Sequence, residues 1–201
     1  KPGKPVIDVW RRPLTQTANL TSAARRRNIQ TQAVRDSLPC KVLREQDGMY
    51  LIQMADLTRG FVSKDDVEKV ESKDYWRSVR RFSKDVILLS ISESDFLDFI
   101  KDYPEISYEW GGCSKDGRDC SSLVQDVFFK ATGYLLPRNS KDQAQLGKPA
   151  QELQVGDLIY LQSEKDGIGH IGIIVDDCQG KVFHLSRKKG IPDTEEVSQL
   201  E

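Results

Sequence analysis

Beyond residue 150 the chain alternates apolar and polar residues in three short runs, VGDLIYL, HIGIIV and KVFHLS, separated by the turn-forming stretches DGIG and DDCQG. Period two belongs to extended strands, which put every second side chain on one face. The runs therefore require an antiparallel sheet with a buried side. Upstream the period changes. In RDCSSLVQDVFF, residues 118–129, Leu123, Val124, Val127 and Phe128 recur at helical spacing, and Gly133 supplies a C-terminal stop. In ISESDFLDFIKDYPEI, Ser92 or Ser94 can cap a short helix with Phe96, Leu97, Phe99 and Ile100 on one face and Pro104 as its end. Helices first and strands afterwards indicate an α+β fold.

The first third reads differently. VIDVW, IQTQAV, CKVLREQDGMYLIQM and GFVSKDDVEKV are short strands punctuated by turns, with Gln46-Asp47-Gly48 as a hairpin signal. They predict a small barrel-like β domain over residues 1–70. Arg25, Arg26 and Arg27 fall in the inserted TSAARRRNIQ, which reads as a solvated loop. Residues 71–91 pass from a charged stretch into an apolar run and read as a linker that packs between domains. The remaining segment, 92–201, holds the helices and the period-two runs.

Charge excludes some partners. Lys plus Arg is 30 against 31 for Asp plus Glu, giving a net charge of −1 and no reason to expect nucleic acid or an acidic membrane surface. No apolar run approaches the roughly 20 residues of a membrane span, and KPGKPVIDVW lacks the apolar core of a signal peptide. KPGKP itself reads as a stiff tether of the kind left when an upstream signal or anchor is removed. The four cysteines, Cys40, Cys113, Cys120 and Cys178, are too few for a disulfide framework. With His170 and His184 they form no CxxC or HxxxH pair, so neither a metal nor an organic cofactor is implied.

Cys120 carries the chemistry. It sits in the first turn of its predicted helix, where unpaired N–H groups stabilise a thiolate against the ordinary pKa of about 8.5. Both histidines of the chain fall in the sheet. A hairpin centred on Asp177 pairs residues whose numbers sum to 354, so His170 is expected to face His184, and Gly172 to face Val182. An imidazole beside a thiol takes its proton, and a second polar group must hold that imidazole's tautomer. His170 as base and His184 as orienting group satisfy this scheme. Cys113 and Cys178 have no expected catalytic task, and Cys40 reads as core.

Several further stretches combine with these residues. Tyr108-Glu109-Trp110-Gly111-Gly112, Asp119-Cys120-Ser121, Leu136-Pro137-Arg138 with Ser140 and Gln143, Gly156-Asp157-Leu158-Ile159-Tyr160, His170-Ile171-Gly172-Ile173 and Phe183-His184 resemble, in this order, the NlpC-type bacterial cell-wall cysteine peptidases. The stretch TQAVRDSLPCKVLREQDGMYLIQMADLTRGFVSKDDV is similar to the bacterial SH3-like domains attached to such enzymes. The resemblance implies a papain-like fold behind an SH3-like barrel. It also implies cleavage of peptidoglycan stem peptides or soluble muropeptides at the amide between γ-D-glutamyl and a diamino acid, in a secreted, periplasmic or wall-associated setting.

Residue by residue, Cys120 matches the nucleophile, His170 the base, His184 the third member and Tyr108 the tyrosine beside the nucleophile. Asp119 matches a contact for a substrate amine, and Ser121 or Ser140 a contact for a carboxylate. Trp110 and its glycines read as turn-shaping, and Arg138 as a buried ion-pair partner. This chain departs from the pattern at Arg118 and Ser122, where the family has an apolar or aromatic residue and a glycine. Its histidine hairpin is two residues longer than in the family, and RKKGIPDTEEVSQLE reads as ending short of the family's closing strand. Two other readings share these features: a wall-binding protein with an inert catalytic half, and an acyltransferase or amidase acting on a different amide.

Overall fold

The computed structural model describes residues 6–17, 19, 21–34, 40–68, 93–101, 103, 105–163 and 167–200. The predicted linker 71–91, Ser92 and Pro104 lie outside these residues. The first half contributes β1 (Val6–Trp10), α1 (Ser22–Arg27), β2 (Ile29–Val34), β3 (Lys41–Gln46), β4 (Met49–Gln53) and β5 (Arg59–Ser63). They pair antiparallel in the order β2-β1-β5-β4-β3 around a core of Ile7, Val9, Ala33, Ile52 and Val62. The β3–β4 turn is Asp47-Gly48, with φ of 52° and 75°, the left-handed pair that a two-residue hairpin needs.

Two expectations for this half change. TSAARRRNIQ is not a loop: Thr21 accepts from the Ala24 N–H and caps α1, and Arg25 reaches over the Trp10 ring. The strands also form an open sheet rather than a closed barrel, with β2 and β3 at its edges. Edge strand β2 meets the second half instead of β3. There the Cys113 Sγ–H donates to the Gln32 carbonyl (2.9 Å) and the Cys113 N–H to Gln32 Oε1 (3.3 Å).

The second half runs α2 (Glu93–Lys101), β6 (Ser107–Tyr108), β7 (Gly117–Arg118), α3 (Cys120–Thr132), α4 (Ser140–Gln143), β8 (Leu158–Ser163), β9 (Gly167–Asp176), β10 (Lys181–Leu185) and β11 (Pro192–Glu196). β8 to β11 form an antiparallel sheet in the order β11-β10-β9-β8, while β6 and β7 pair parallel. Leu123, Val124, Val127 and Phe128 of α3 pack on Ile171, Ile173, Phe183 and Leu185, with Phe96 of α2 closing the core. α3 ends where expected, at Gly133 in the left-handed conformation (φ 72°).

The last strand was not legible as one. β11 consists of Pro-Asp-Thr-Glu-Glu, a charged edge strand without apolar alternation, and it pairs along the whole of β10. β11 therefore forms one edge of the second sheet. Among the described residues, no helix is long and apolar enough to cross a membrane.

Candidate active site

Asp119 and Arg138 build the platform on which Cys120 stands. Asp119 is the N-cap of α3: its Oδ1 accepts from the Ser122 N–H (2.9 Å), and the Ser122 hydroxyl accepts in return from the Asp119 N–H (3.1 Å). Arg138, 2% exposed, spends all five of its donors on this turn and its neighbours. Nη1 donates to Asp119 Oδ1 (2.9 Å) and Ser121 Oγ (2.8 Å). Nη2 donates to Asp119 Oδ2 (2.8 Å) and the Gly112 carbonyl (3.1 Å), and Nε to Thr31 Oγ1 (2.7 Å). The guanidinium keeps the Asp119 carboxyl below its usual range despite the opposing effect of burial.

Asp119 and Ser121, the residues expected to contact substrate, are thus also bonded within this turn. Asp119 Oδ2 also accepts from the Gly111 N–H (3.1 Å), and the Ser121 hydroxyl donates to Asp119 Oδ1 (3.1 Å). Ser140, partly buried, opens α4, an element in contact with β9. Gln143 holds α4 to this region, donating to the Pro137 carbonyl (2.7 Å) and the Ser121 carbonyl (3.2 Å). The glycines beside Trp110 do shape a turn. A Cβ on Gly112 would lie 2.7 Å from the Gly117 carbonyl oxygen, and Gly111 has φ of 78°. Trp110 itself is 49% exposed.

Cys120 is the first residue of α3, and its side chain packs against the core cluster that holds Ile171 of β9 and Phe183 of β10. Ile171 is the chain neighbour of His170. Burial, reinforced by the Asp119 charge, pushes the thiol up to about 12. The lowering expected from the helix terminus is thus outweighed, and the resting group is a thiol that needs a base. Tyr108, on β6, packs in the same core cluster as Cys120. Burial and the Cys120 and Asp119 charges raise its phenol to about 12, so it remains an O–H donor.

The two imidazoles do share a face. His170 Nε2 lies 2.8 Å from His184 Nδ1, with the rings edge to face at 78° and centroids 5.1 Å apart. Their register differs from expectation, because His184 pairs with Gly172 and Val182 with Ile174. The turn is centred beyond Asp177, with Lys181 paired to Asp176, and a one-residue irregularity between Lys181 and Val182 then leaves the ladder two positions from the expected register. His170 is consequently a diagonal neighbour of His184, on the same face by parity. Gly172 makes the approach possible, since a Cβ there would lie 2.3 Å from Val182 Cγ1 and 3.1 Å from His184 Cβ. Burial lowers His170 to about 4, and burial also lowers His184. Both rings are therefore neutral at pH 7.

One participant was missed. Glu195 of β11 sets its Oε2 3.1 Å from His184 Nε2, and Lys189 holds the other oxygen at 2.7 Å while also binding Asp193 at 2.8 Å. Its only trace in the sequence is one acidic residue in a charged tail.

A thiol at the head of a helix, packed on an antiparallel sheet that carries a linked pair of imidazoles, is the arrangement of a cysteine-type hydrolase. Residues 105–199 match the model of the NlpC/P60 family and form an NlpC/P60 domain. Over 83 residues the chain is 41% identical to gamma-D-glutamyl-L-lysine dipeptidyl-peptidase of Bacillus subtilis (strain 168), covering 39% of this chain and 27% of that one. It is 33% identical over 101 residues to murein DD-endopeptidase MepS/murein LD-carboxypeptidase of Escherichia coli (strain K12), covering 49% and 52%. A solved NlpC/P60 family protein from Bacillus cereus ATCC 10987 superposes with a TM-score of 0.49 at 20% identity, over 98% of this chain and 57% of the other. The chain spans about a quarter of the first curated relative and about half of the second.

Proposed function

We propose that this protein is a cysteine peptidase that hydrolyses peptidoglycan stem peptides at the amide between γ-D-glutamyl and a diamino acid. The observation that supports the reading is the linked pair of imidazoles, His170 Nε2 lying 2.8 Å from His184 Nδ1, on the sheet against which Cys120 at the head of α3 packs. Two relatives named for γ-glutamyl bonds support the choice of bond: the dipeptidyl-peptidase above and gamma-DL-glutamyl hydrolase of Bacillus subtilis (strain 168), which is 36% identical over 93 residues.

Cys120 Sγ attacks the γ-carbonyl carbon as its proton passes to His170 Nδ1, the nitrogen that His184 leaves free. The Cys120 backbone N–H and the Tyr108 hydroxyl stabilise the oxyanion. His170 returns the proton to the departing amine as the C–N bond breaks, leaving a thioester on Cys120. A water, deprotonated by His170, then attacks the thioester, releasing the γ-glutamyl acid and restoring the thiol. Asp119 would meet a substrate amine, and Ser121 or Ser140 on α4 a substrate carboxylate.

The same reading divides the chain into an SH3-like module over residues 1–70, a linker over 71–91 and the catalytic domain over 92–201. It places the protein at the cell wall, with peptidoglycan or muropeptides as substrate. The test is mass spectrometry of products from wild type and Cys120→Ala, each incubated with intact peptidoglycan and with a soluble peptide containing γ-D-glutamyl-L-lysine. Wild type alone should split the γ-glutamyl bond. Cleavage by Cys120→Ala, or wild-type cleavage only at other bonds, contradicts the proposal.

A further inference from the structure

We infer that Glu195 is a positioning residue that sets the proton on both imidazoles, extending the site to a four-membered relay Cys120-His170-His184-Glu195. The inference rests on the hydrolase reading above and concerns a residue that no motif of that reading includes.

Donors and acceptors along the chain of contacts fix each proton. Glu195 is an ionised carboxylate, kept so by Lys189, and can only accept. His184 Nε2, 3.1 Å away, must therefore carry the hydrogen. A neutral imidazole has one N–H, so His184 Nδ1 is left as an acceptor. The 2.8 Å contact then requires the hydrogen on His170 Nε2. His170 Nδ1 is left with its lone pair, the form that can take the Cys120 proton. One carboxylate on an edge strand thus fixes, two hydrogen bonds away, which nitrogen of the base is basic.

Lys189 gives the relay a direction. Its ammonium bonds Glu195 Oε1 and has only donors, so the atom facing it must accept. In Glu195→Gln the amide oxygen is held towards Lys189, and the amide NH2 faces His184 Nε2. Every hydrogen then moves to the other nitrogen. His184 becomes the Nδ1–H form, His170 Nε2 becomes the acceptor, and His170 Nδ1 presents a hydrogen to the thiol. In Glu195→Ala nothing imposes either form.

The order of damage is therefore opposite to that of a merely structural residue, for which the isosteric amide would be the milder change. The expected loss in kcat/KM is about 10-fold for Glu195→Ala and about 100-fold or more for Glu195→Gln, taken from second-shell and tautomer-inverting substitutions in general.

The experiment pairs this activity series, on the soluble γ-D-glutamyl-L-lysine peptide, with two-bond 1H–15N spectra of protein labelled at its two histidines. At pH 7.5 wild type should show both rings as Nε2–H tautomers, and Glu195→Gln both as Nδ1–H. A wild-type spectrum with His184 in the Nδ1–H form overturns the inference whether or not the variants fold, and so does a Glu195→Gln variant more active than Glu195→Ala. Cys120→Ala separates the two readings. If it still cleaves the peptide, the hydrolase reading falls while the tautomers stand on their own measurement. If it is inactive and the tautomers are wrong, only the relay falls.

Discussion

Arg138 is the residue on which the platform under Cys120 depends. It neutralises Asp119, which is buried and receives four further bonds from Gly111, Ser121 and Ser122 and from the second arm of the guanidinium. Removing one partner of such a pair leaves the other charge uncompensated. Arg138→Leu should therefore destabilise the protein by about 3–5 kcal/mol in urea denaturation. Thr31 carries a smaller share, as the acceptor for Arg138 Nε. Thr31→Val leaves that buried donor unpaired and should cost about 1–3 kcal/mol by the same measurement. The ion pair was legible as a reading of Arg138 in Leu-Pro-Arg. Its partner was not, because an aspartate before a nucleophilic cysteine can cap the helix or meet an amine, and only the surrounding bonds decide.

Strands β9 and β10 decide whether the imidazoles meet, and Gly172 is where they come closest. Gly172→Ala brings its Cβ to 2.3 Å from Val182 Cγ1, with the Phe183 carbonyl and His184 Cβ both at 3.1 Å, so β10 must shift. The substitution should destabilise by about 1–3 kcal/mol as an overpacking change. It should also lower activity beyond what that loss of stability explains, with kcat falling while the far-ultraviolet dichroism is kept. The shared face of the two histidines was legible from parity alone, since any even displacement preserves it. The register was not, because the turn centre and the one-residue irregularity between Lys181 and Val182 together set a displacement of two. β11 was hidden for a different reason. An edge strand that presents charge to solvent has no period to read, and so Glu195 stayed out of sight.

At the scale of the whole molecule, two halves with separate cores meet through Thr31 and Gln32 on one side and Glu109, Cys113 and Arg138 on the other. The α+β pattern and most of the strands in both halves were legible. The open edge of the first sheet was not, because its partner lies some 80 positions away in the chain. Stability should carry the signature of the buried histidines. Both are lowered in the folded state, so between pH 6.5 and about 4 the unfolded chain binds more protons and stability rises with pH. The urea midpoint should fall as pH is lowered through this window, and a His170→Asn variant should show a shallower fall.

Most directly, the account is tested by an L-alanyl-γ-D-glutamyl peptide bearing an acyloxymethyl ketone in place of the scissile amide, which alkylates an attacking thiolate. Its site of attachment among the four cysteines is then mapped by mass spectrometry. A single adduct on Cys120, lost in His170→Ala, is the expected result. Labelling at Cys40, Cys113 or Cys178 instead, no labelling at all, or labelling of Cys120 that persists undiminished without His170 would contradict the assignment of nucleophile and base.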